Sequence, residues 1–306
     1  MEQVRNDGLN AVQAEKPAKQ EKERKPWKGV LKAVLIFAAI LALQTGIIII
    51  SSTIYSVYCI AQAGGDVEAG TQLYMDKATN SGLVTYILAI ATFLYGTIVV
   101  IWYKFGFVKK YTSGQWNEFR QRVLNGRTIA ILVFAAIGCY CFDVLVEAVV
   151  AFVLPESAES FNNMMNVALG SNAAVTFLVS VILAPIAEEV ALRGIILRTL
   201  IRNNCPVVAA IIIQAVLFGI FHLNIIQGLY VLPIGLVLGY TAYKCKSVLP
   251  CIFIHMLNNF LPNVIKLLPE NAPIEVILVV TLVISLAVLY ILGKNKAHKV
   301  LDKQAA

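Results

Sequence analysis

Ionisable side chains lie within stretches of sequence that are apolar enough to cross a lipid bilayer. Glu188 and Glu189 follow the apolar run 173–186, and Arg193 lies four residues after Glu189. A charged residue at membrane depth is costly and is usually retained for function. On a helix, Glu189 and Arg193 share one face with the acid first, the favourable order for an ion pair. Glu188 then points about 100° away, so it needs a partner from elsewhere in the chain.

Two of the three histidines lie in predicted membrane spans and supply such partners. Phe218 and His222 are four residues apart in one apolar run, and His255 and Asn259 are four apart in another. A carboxylate and a neutral imidazole can hold a water, and the carboxylate takes its proton during attack on a carbonyl. A second imidazole and a carboxamide can stabilise the oxyanion. The same groups could instead bind zinc through Glu188, His222 and His255, and the sequence does not decide between the two.

The whole chain has the composition of a polytopic membrane protein. Of its 306 residues, 58% are hydrophobic and 14% are charged, whereas soluble domains are about 45–50% apolar. The net charge is +7, but the basic residues flank apolar runs, as the positive-inside rule predicts, so we do not expect nucleic-acid binding. The six cysteines form no Cys-x-x-Cys pair, which favours buried thiols over a disulfide framework or a zinc ribbon.

The apolar runs predict an all-α bundle of about eight transmembrane helices. The predicted spans are 33–60, 83–103, 128–154, 173 to about 202, 206–222, 229–243, 248–261 and 276–292. Acidic loops are predicted outside and basic loops inside, which places both termini in the cytoplasm. The sixth span contains Gly235 and Gly239, a spacing that lets helices approach closely in lipid.

The sequence leaves two features of these spans open: the role of a like-charged pair and the depth of His222. Asp143 and Glu147 form a like-charged pair in the third span. Such a pair could mark a proton path, but we favour the interpretation that both side chains reach the outer interface near Pro155. His222 is predicted near the outer end of its helix, whereas His255 lies about three turns from the cytoplasmic end of its own. For these groups to meet, the fifth helix must start above the cytoplasmic boundary, tilt, or break near Gly219.

The three motifs together resemble the CAAX protease and bacteriocin-processing family of intramembrane endopeptidases, also called the Abi or CPBP family. The pattern Glu-Glu-x-x-x-Arg starts at Glu188, Phe-x-x-x-His ends at His222, and His-x-x-x-Asn starts at His255, in the family's order. The resemblance covers about residues 173–262. It implies a buried proteolytic site in an eight-helix bundle, with Glu188 as the base.

This resemblance also implies the substrate class and the location of the protein. Family members have been described as metalloproteases and as glutamate-dependent proteases; we favour the second and expect no metal cofactor. Eukaryotic relatives trim prenylated C-terminal tails, and bacterial ones are associated with peptide processing and bacteriocin self-immunity. We therefore expect a membrane-associated peptide or protein substrate and a bacterial plasma-membrane location. The expected regions are a disordered tail (1–28), N-terminal membrane helices (29–170), the catalytic core (171–293) and a cytoplasmic tail (294–306).

Two other functions are compatible with the same residues. In a proton-coupled transporter, Glu188, His222 and His255 would relay protons or bind substrate near the midplane. In a non-catalytic scaffold or immunity protein, the same cluster would serve stability. No inverted repeat is evident in the sequence, which counts modestly against the transporter. Peptide hydrolysis distinguishes the enzyme from both alternatives.

Overall fold

The protein is an all-α membrane bundle. The computed structural model describes residues 26–108, 123–169, 172–269 and 271–304, except for the side chains of 169 and 293–304, and no strand occurs in these ranges. The helices are α1 (Pro26–Gln62), α2 (Val67–Asn80), α3 (Leu83–Val108), α4 (Gly126–Val153), α5 (Pro155–Leu169), α6 (Ala173–Arg202), α7 (Val207–Phe221), α8 (Ile225–Cys245), α9 (Leu249–Ile265) and α10 (Ile274–Gln304).

The eight apolar helices correspond to the eight predicted spans. Among the described residues, six are long and apolar enough to cross a membrane, and α7 and α9 are shorter apolar helices. The buried cysteines agree with the prediction from composition: five of the six thiols are buried and Cys245 is half-buried. Helix α1 already begins at Pro26, and α10 continues to Gln304 through residues predicted to be a tail.

Two polar segments that were predicted to be outer loops are helices. Asp66 starts α2 by accepting hydrogen bonds from the backbone N–H groups of Glu68 (2.9 Å) and Ala69 (3.0 Å), which is the usual role of an aspartate N-cap. Helix α5 starts at Pro155, a residue suited to a first helical position. The loop prediction used only charge, so it missed the capping signals. Several basic residues of the predicted cytoplasmic loop lie outside the described residues: Lys109, Lys110, Arg120 and Arg122.

Helix α6 lies at the centre of the bundle and contacts α1, α3, α7, α8 and α9. Every residue from Val190 to Leu197 is buried. The helix contains two π-helical stretches, Leu178–Leu183 and Val190–Leu197, on either side of the two glutamates. Wide turns of this kind interrupt the regular bonding pattern and are frequent at functional sites. The sequence motif therefore lies on the helix that is most completely surrounded by protein.

Helices α7 and α8 form a hairpin in which the two backbones nearly touch. A Cβ atom on Gly219 would lie 2.8 Å from the carbonyl oxygen of Gly228. Helix α7 has 15 residues, about 22 Å at 1.5 Å per residue, and the chain reverses at Leu223, whose φ is 52°. Because α7 is shorter than the ~30 Å apolar layer of a bilayer, His222 can lie at the depth of the other motifs. The helix does not break at Gly219.

Helix α8 is longer than predicted. It begins at Ile225 instead of 229 because Asn224 accepts hydrogen bonds from the N–H groups of Ile226 (2.9 Å) and Gln227 (3.1 Å). Gly235 and Gly239 face α7, where added Cβ atoms would press on Ala215 and overlap Gln214. The predicted close approach of helices at this glycine pair is confirmed.

Candidate active site

Glu189 is the most deeply buried acidic group of the site. Its side chain has 0% exposure, and its Oε1 accepts hydrogen bonds from Arg193 Nη1 (2.8 Å) and His255 Nδ1 (2.9 Å). The predicted ion pair with Arg193 is therefore present. The bond to His255 was not predicted, and it joins α6 to α9. A buried carboxylate needs such partners because removing its charge from water is expensive.

Glu188 has a different environment, as the helix geometry predicted. Its side chain remains 13% exposed, and its Oε2 lies 3.9 Å from His255 Nε2, beyond hydrogen-bonding distance. His255 thus lies between the two glutamates and presents one ring nitrogen to each. Glu189 is held by two donors, whereas Glu188 faces a small accessible space next to an imidazole.

The hydrogen bonds of the two imidazoles define their protonation at Nδ1. His222 Nδ1 lies 2.9 Å from the carbonyl oxygen of Phe218. A carbonyl oxygen can only accept, so this Nδ1 carries the proton, and Nε2 of a neutral ring has the lone pair. The same reasoning applies to His255, whose Nδ1 faces the Glu189 carboxylate. When the rings are neutral, each of them therefore offers an Nε2 acceptor, which can hold a water hydrogen.

Phe218 fixes the spacing between the two histidines. Its fully buried ring meets His222 edge-on at 4.9 Å and His255 at 5.7 Å between ring centroids. The Arg193 guanidinium lies 4.6 Å from the centroid of the same ring, a favourable cation–π distance. One aromatic ring thus packs against side chains from all three motifs. His222 therefore meets the other motifs, although the sequence predicted it near the outer end of its helix.

Asn259 lies next to α6, but one of its amide hydrogens is already in use. Its Nδ2 donates to the carbonyl oxygen of Ser180 at 2.9 Å, in the first π-helical stretch of α6. The geometry therefore gives Asn259 a role in joining α9 to α6. Only its second amide hydrogen is left for the predicted contact with an oxyanion.

Gln214 belongs to the same cluster and was missed by the sequence analysis. It is fully buried, and its Nε2 donates to the carbonyl oxygens of Gly235 and Ile211, both at 2.8 Å. Arg193 Nη2 donates to the same Gly235 oxygen at 3.2 Å. A signal was available, because Gln214 is a polar residue in an apolar span, one turn before Phe218 on the same face.

Asp143 does not reach the outer interface, so the interpretation favoured from the sequence is wrong for this residue. It is only 6% exposed, and Asn258 Nδ2 approaches its Oδ2 at 3.5 Å. Glu147 is half-buried. The contact with Asn258 joins α9 to α4, whereas the bond from Asn259 joins α9 to α6. Neither carboxylate contacts the motif residues through a hydrogen bond that the structure records.

Zinc binding is the alternative that the sequence left open for this cluster. Glu188 and the two Nε2 atoms of His222 and His255 are donors that zinc accepts. Among the described residues, however, no three His, Cys, Asp or Glu side chains are arranged to hold a metal ion. The side chains in their present positions therefore do not form a metal centre. Metal independence remains a prediction.

The comparison with known families supports the motif assignment. Residues 170–261 match the family model for the type II CAAX prenyl endopeptidases that are called Rce1-like. The matched region contains all three motifs and runs from the start of α6 into α9. This part of the chain is therefore similar to the CAAX protease family, as the motifs predicted. No curated protein and no solved structure matches the chain.

Proposed function

We propose that this protein is an intramembrane endopeptidase that uses a water activated by Glu188. The observation that carries the proposal is the position of His255. Its Nδ1 is fixed by Glu189 while its Nε2 faces Glu188 at 3.9 Å. The three motifs thereby surround one accessible carboxylate. The matching family is described as type II CAAX prenyl endopeptidases. The substrate class we propose for this protein is a membrane-associated protein or peptide.

The residues have separate roles in the proposed reaction. Water is held between Glu188 and the Nε2 lone pair of His222, whose ring is fixed by its bond to the Phe218 carbonyl. Glu188 takes a proton as the water oxygen attacks the scissile carbonyl carbon. The oxyanion is stabilised by hydrogen-bond donors until the C–N bond breaks. Glu188 then returns the proton to the leaving amine.

The environment of the site supports a substrate that is already in the membrane. Glu188 is 13% exposed, and α6 is surrounded by apolar helices. A peptide must therefore enter the bundle in an extended form to reach the carboxylate. CAAX-type tails, bacteriocin precursors and signalling peptides fit this requirement. The bacterial plasma membrane is the location we propose.

Peptide hydrolysis by the purified protein tests the proposal. The protein in lipid nanodiscs is incubated with quenched fluorescent peptides that include prenylated C-terminal tails and unprenylated leader sequences. The matched control is Glu188→Gln, which keeps the shape of the side chain and removes the base. We expect turnover by the unaltered protein only. If no peptide is cleaved, or if Glu188→Gln cleaves equally well, the enzyme assignment is wrong, and a transporter or immunity protein becomes the better explanation.

A further inference from the structure

Few hydrogen-bond donors remain among the motif residues for the oxyanion of the proposed reaction. The Nδ1–H groups of His222 and His255 are engaged with Phe218 and Glu189. Their Nε2 atoms are acceptors when the rings are neutral. Asn259 uses one amide hydrogen on a backbone carbonyl. An oxyanion is normally stabilised by more than one preorganised donor, so a donor from outside the three motifs would complement the second amide hydrogen of Asn259.

Helix α3 approaches α6 directly before the two glutamates. A Cβ atom on Gly96 would lie 3.0 Å from the Cβ of Ala187, the residue directly before Glu188. Any larger residue at position 96 would push the two helices apart. This glycine therefore lets α3 lie close to the start of the Glu-Glu motif on α6, and Tyr95 is the residue directly before it on α3.

Tyr95 is held rigidly at this contact. It is 1% exposed, and its ring packs against Phe221, the residue before His222, with 6.3 Å between ring centroids. The ring thus lies between the motif on α6 and the end of α7. A phenol carries one O–H donor and stays neutral at ordinary pH, so it can serve an oxyanion without adding charge.

We propose that Tyr95 is a catalytic residue whose phenol O–H donates a hydrogen bond to the oxyanion of the tetrahedral intermediate. This inference rests on the proposed peptidase function. As the water oxygen bonds to the carbonyl carbon, Glu188 takes the water proton and the carbonyl electron pair moves to oxygen. Tyr95 keeps its proton throughout and gives only a hydrogen bond. When the C–N bond breaks, the proton on Glu188 goes to the amine. Tyr95 lies outside the region matched by the family model, residues 170–261.

Replacement of Tyr95 by Phe removes the donor and keeps the ring that packs on Phe221. We expect kcat to fall by about 10²–10³-fold, the usual loss for one oxyanion donor, with little change in KM. A peptide phosphinate, which mimics the tetrahedral intermediate, should lose affinity by a similar factor, because only transition-state contacts are removed. The matched control is Tyr86→Phe on the same helix, whose hydroxyl accepts a hydrogen bond from Asn172 at 3.1 Å. That variant should keep full turnover.

A second replacement separates a donor from a packing residue. Substitution of Tyr95 by 4-aminophenylalanine restores an N–H donor at the same ring position and should recover turnover relative to Tyr95→Phe. A normal kcat in Tyr95→Phe would overturn the assignment of Tyr95 and leave the proposed function standing. The same holds for a loss of kcat that comes with a lower melting temperature and an unchanged phosphinate affinity. Absence of turnover dependent on Glu188 in the unaltered protein would overturn the proposed function, and this assignment with it.

Discussion

At the scale of single residues, the adjacent Glu188 and Glu189 differ because they have different partners. Glu189 accepts from two donors and has no exposed surface, whereas the structure records no hydrogen bond to the Glu188 carboxylate, which stays accessible. The difference arises because Glu189 lies on the helix face that carries Arg193 and faces His255. Glu188 points about 100° away from that face. Glu189 therefore positions His255, and Glu188 is the carboxylate left for the proposed reaction.

Replacement of each glutamate by glutamine should separate these two roles. Glu188→Gln removes the base, so cleavage should fall by roughly 10²–10⁴-fold, with unfolding temperature and detergent-solubilised yield unchanged. Glu189→Gln leaves Arg193 buried without its counter-charge, which typically costs about 3–5 kcal/mol. That variant should lose thermal stability as well as turnover. Both properties are measured on the purified variants, and a stable Glu189→Gln beside an unstable Glu188→Gln would contradict the assignment.

Metal independence is also a prediction at the residue scale. We expect cleavage to survive prolonged treatment with phenanthroline, because Glu188 and the two Nε2 acceptors can hold and activate water themselves. The assay compares treated protein with protein treated with a non-chelating isomer. Loss of activity that stoichiometric zinc restores would assign Glu188, His222 and His255 as zinc ligands.

At the scale of helices, close backbone contacts position the site. The α7–α8 hairpin brings the Gly235 carbonyl within reach of both Arg193 (3.2 Å) and Gln214 (2.8 Å). Gly239 leaves the room that the Gln214 side chain fills. The small residues of α8 therefore determine where the buried arginine finds its second acceptor. Packing of this kind replaces the hydrophobic effect as the driving force between helices in lipid.

The variant Gly239→Ala tests this packing. The added methyl group would overlap Gln214, and displacement of that side chain should cost about 1–3 kcal/mol, as other overpacked cores do. We expect a lower melting temperature and reduced turnover. Gly46→Ala on α1 is the control, because a Cβ there meets nothing within 4 Å. Equal melting temperatures for both variants would show that the α7–α8 contact tolerates an increase in size.

At the scale of the whole molecule, charge and helix order predict one orientation in the membrane. The acidic α5 and the α9–α10 connection would lie outside, and the basic ends of α6 and α8 would lie inside, as the positive-inside rule requires. With eight apolar helices among the described residues, both ends of the chain fall on the cytoplasmic side. The orientation itself is a prediction from charge.

Labelling by an impermeant thiol reagent checks this orientation. In intact cells, a cysteine at Ser157 on α5 should be labelled, whereas one at Lys244 near the end of α8 should be labelled only after the membrane is permeabilised. Both positions are exposed, so accessibility depends on the side of the membrane. The unaltered protein serves as the background control, because five of its thiols are buried and Cys245 is half-buried. The reverse pattern would refute the topology.

The sequence alone determined the class of fold, the three motifs and the different environments of the two glutamates. These follow from local rules: apolar length predicts a span, and helical spacing predicts which side chains share a face. It also contained signals that were not used, such as the Asp66 cap and Gln214 on the face of Phe218.

Only the tertiary structure decided which side chains meet across helices. It placed His255 between the two glutamates, bonded Asn259 to the Ser180 carbonyl oxygen and buried Asp143 against Asn258. It also packed α3, which carries Tyr95, against α6 at Gly96 and Ala187. The spacing of residues along one helix fixes directions around its axis, but the depth, tilt and rotation of helices relative to each other arise from packing between segments far apart in the chain. Residue 95 lies more than ninety positions before the glutamates, so no local pattern could connect them.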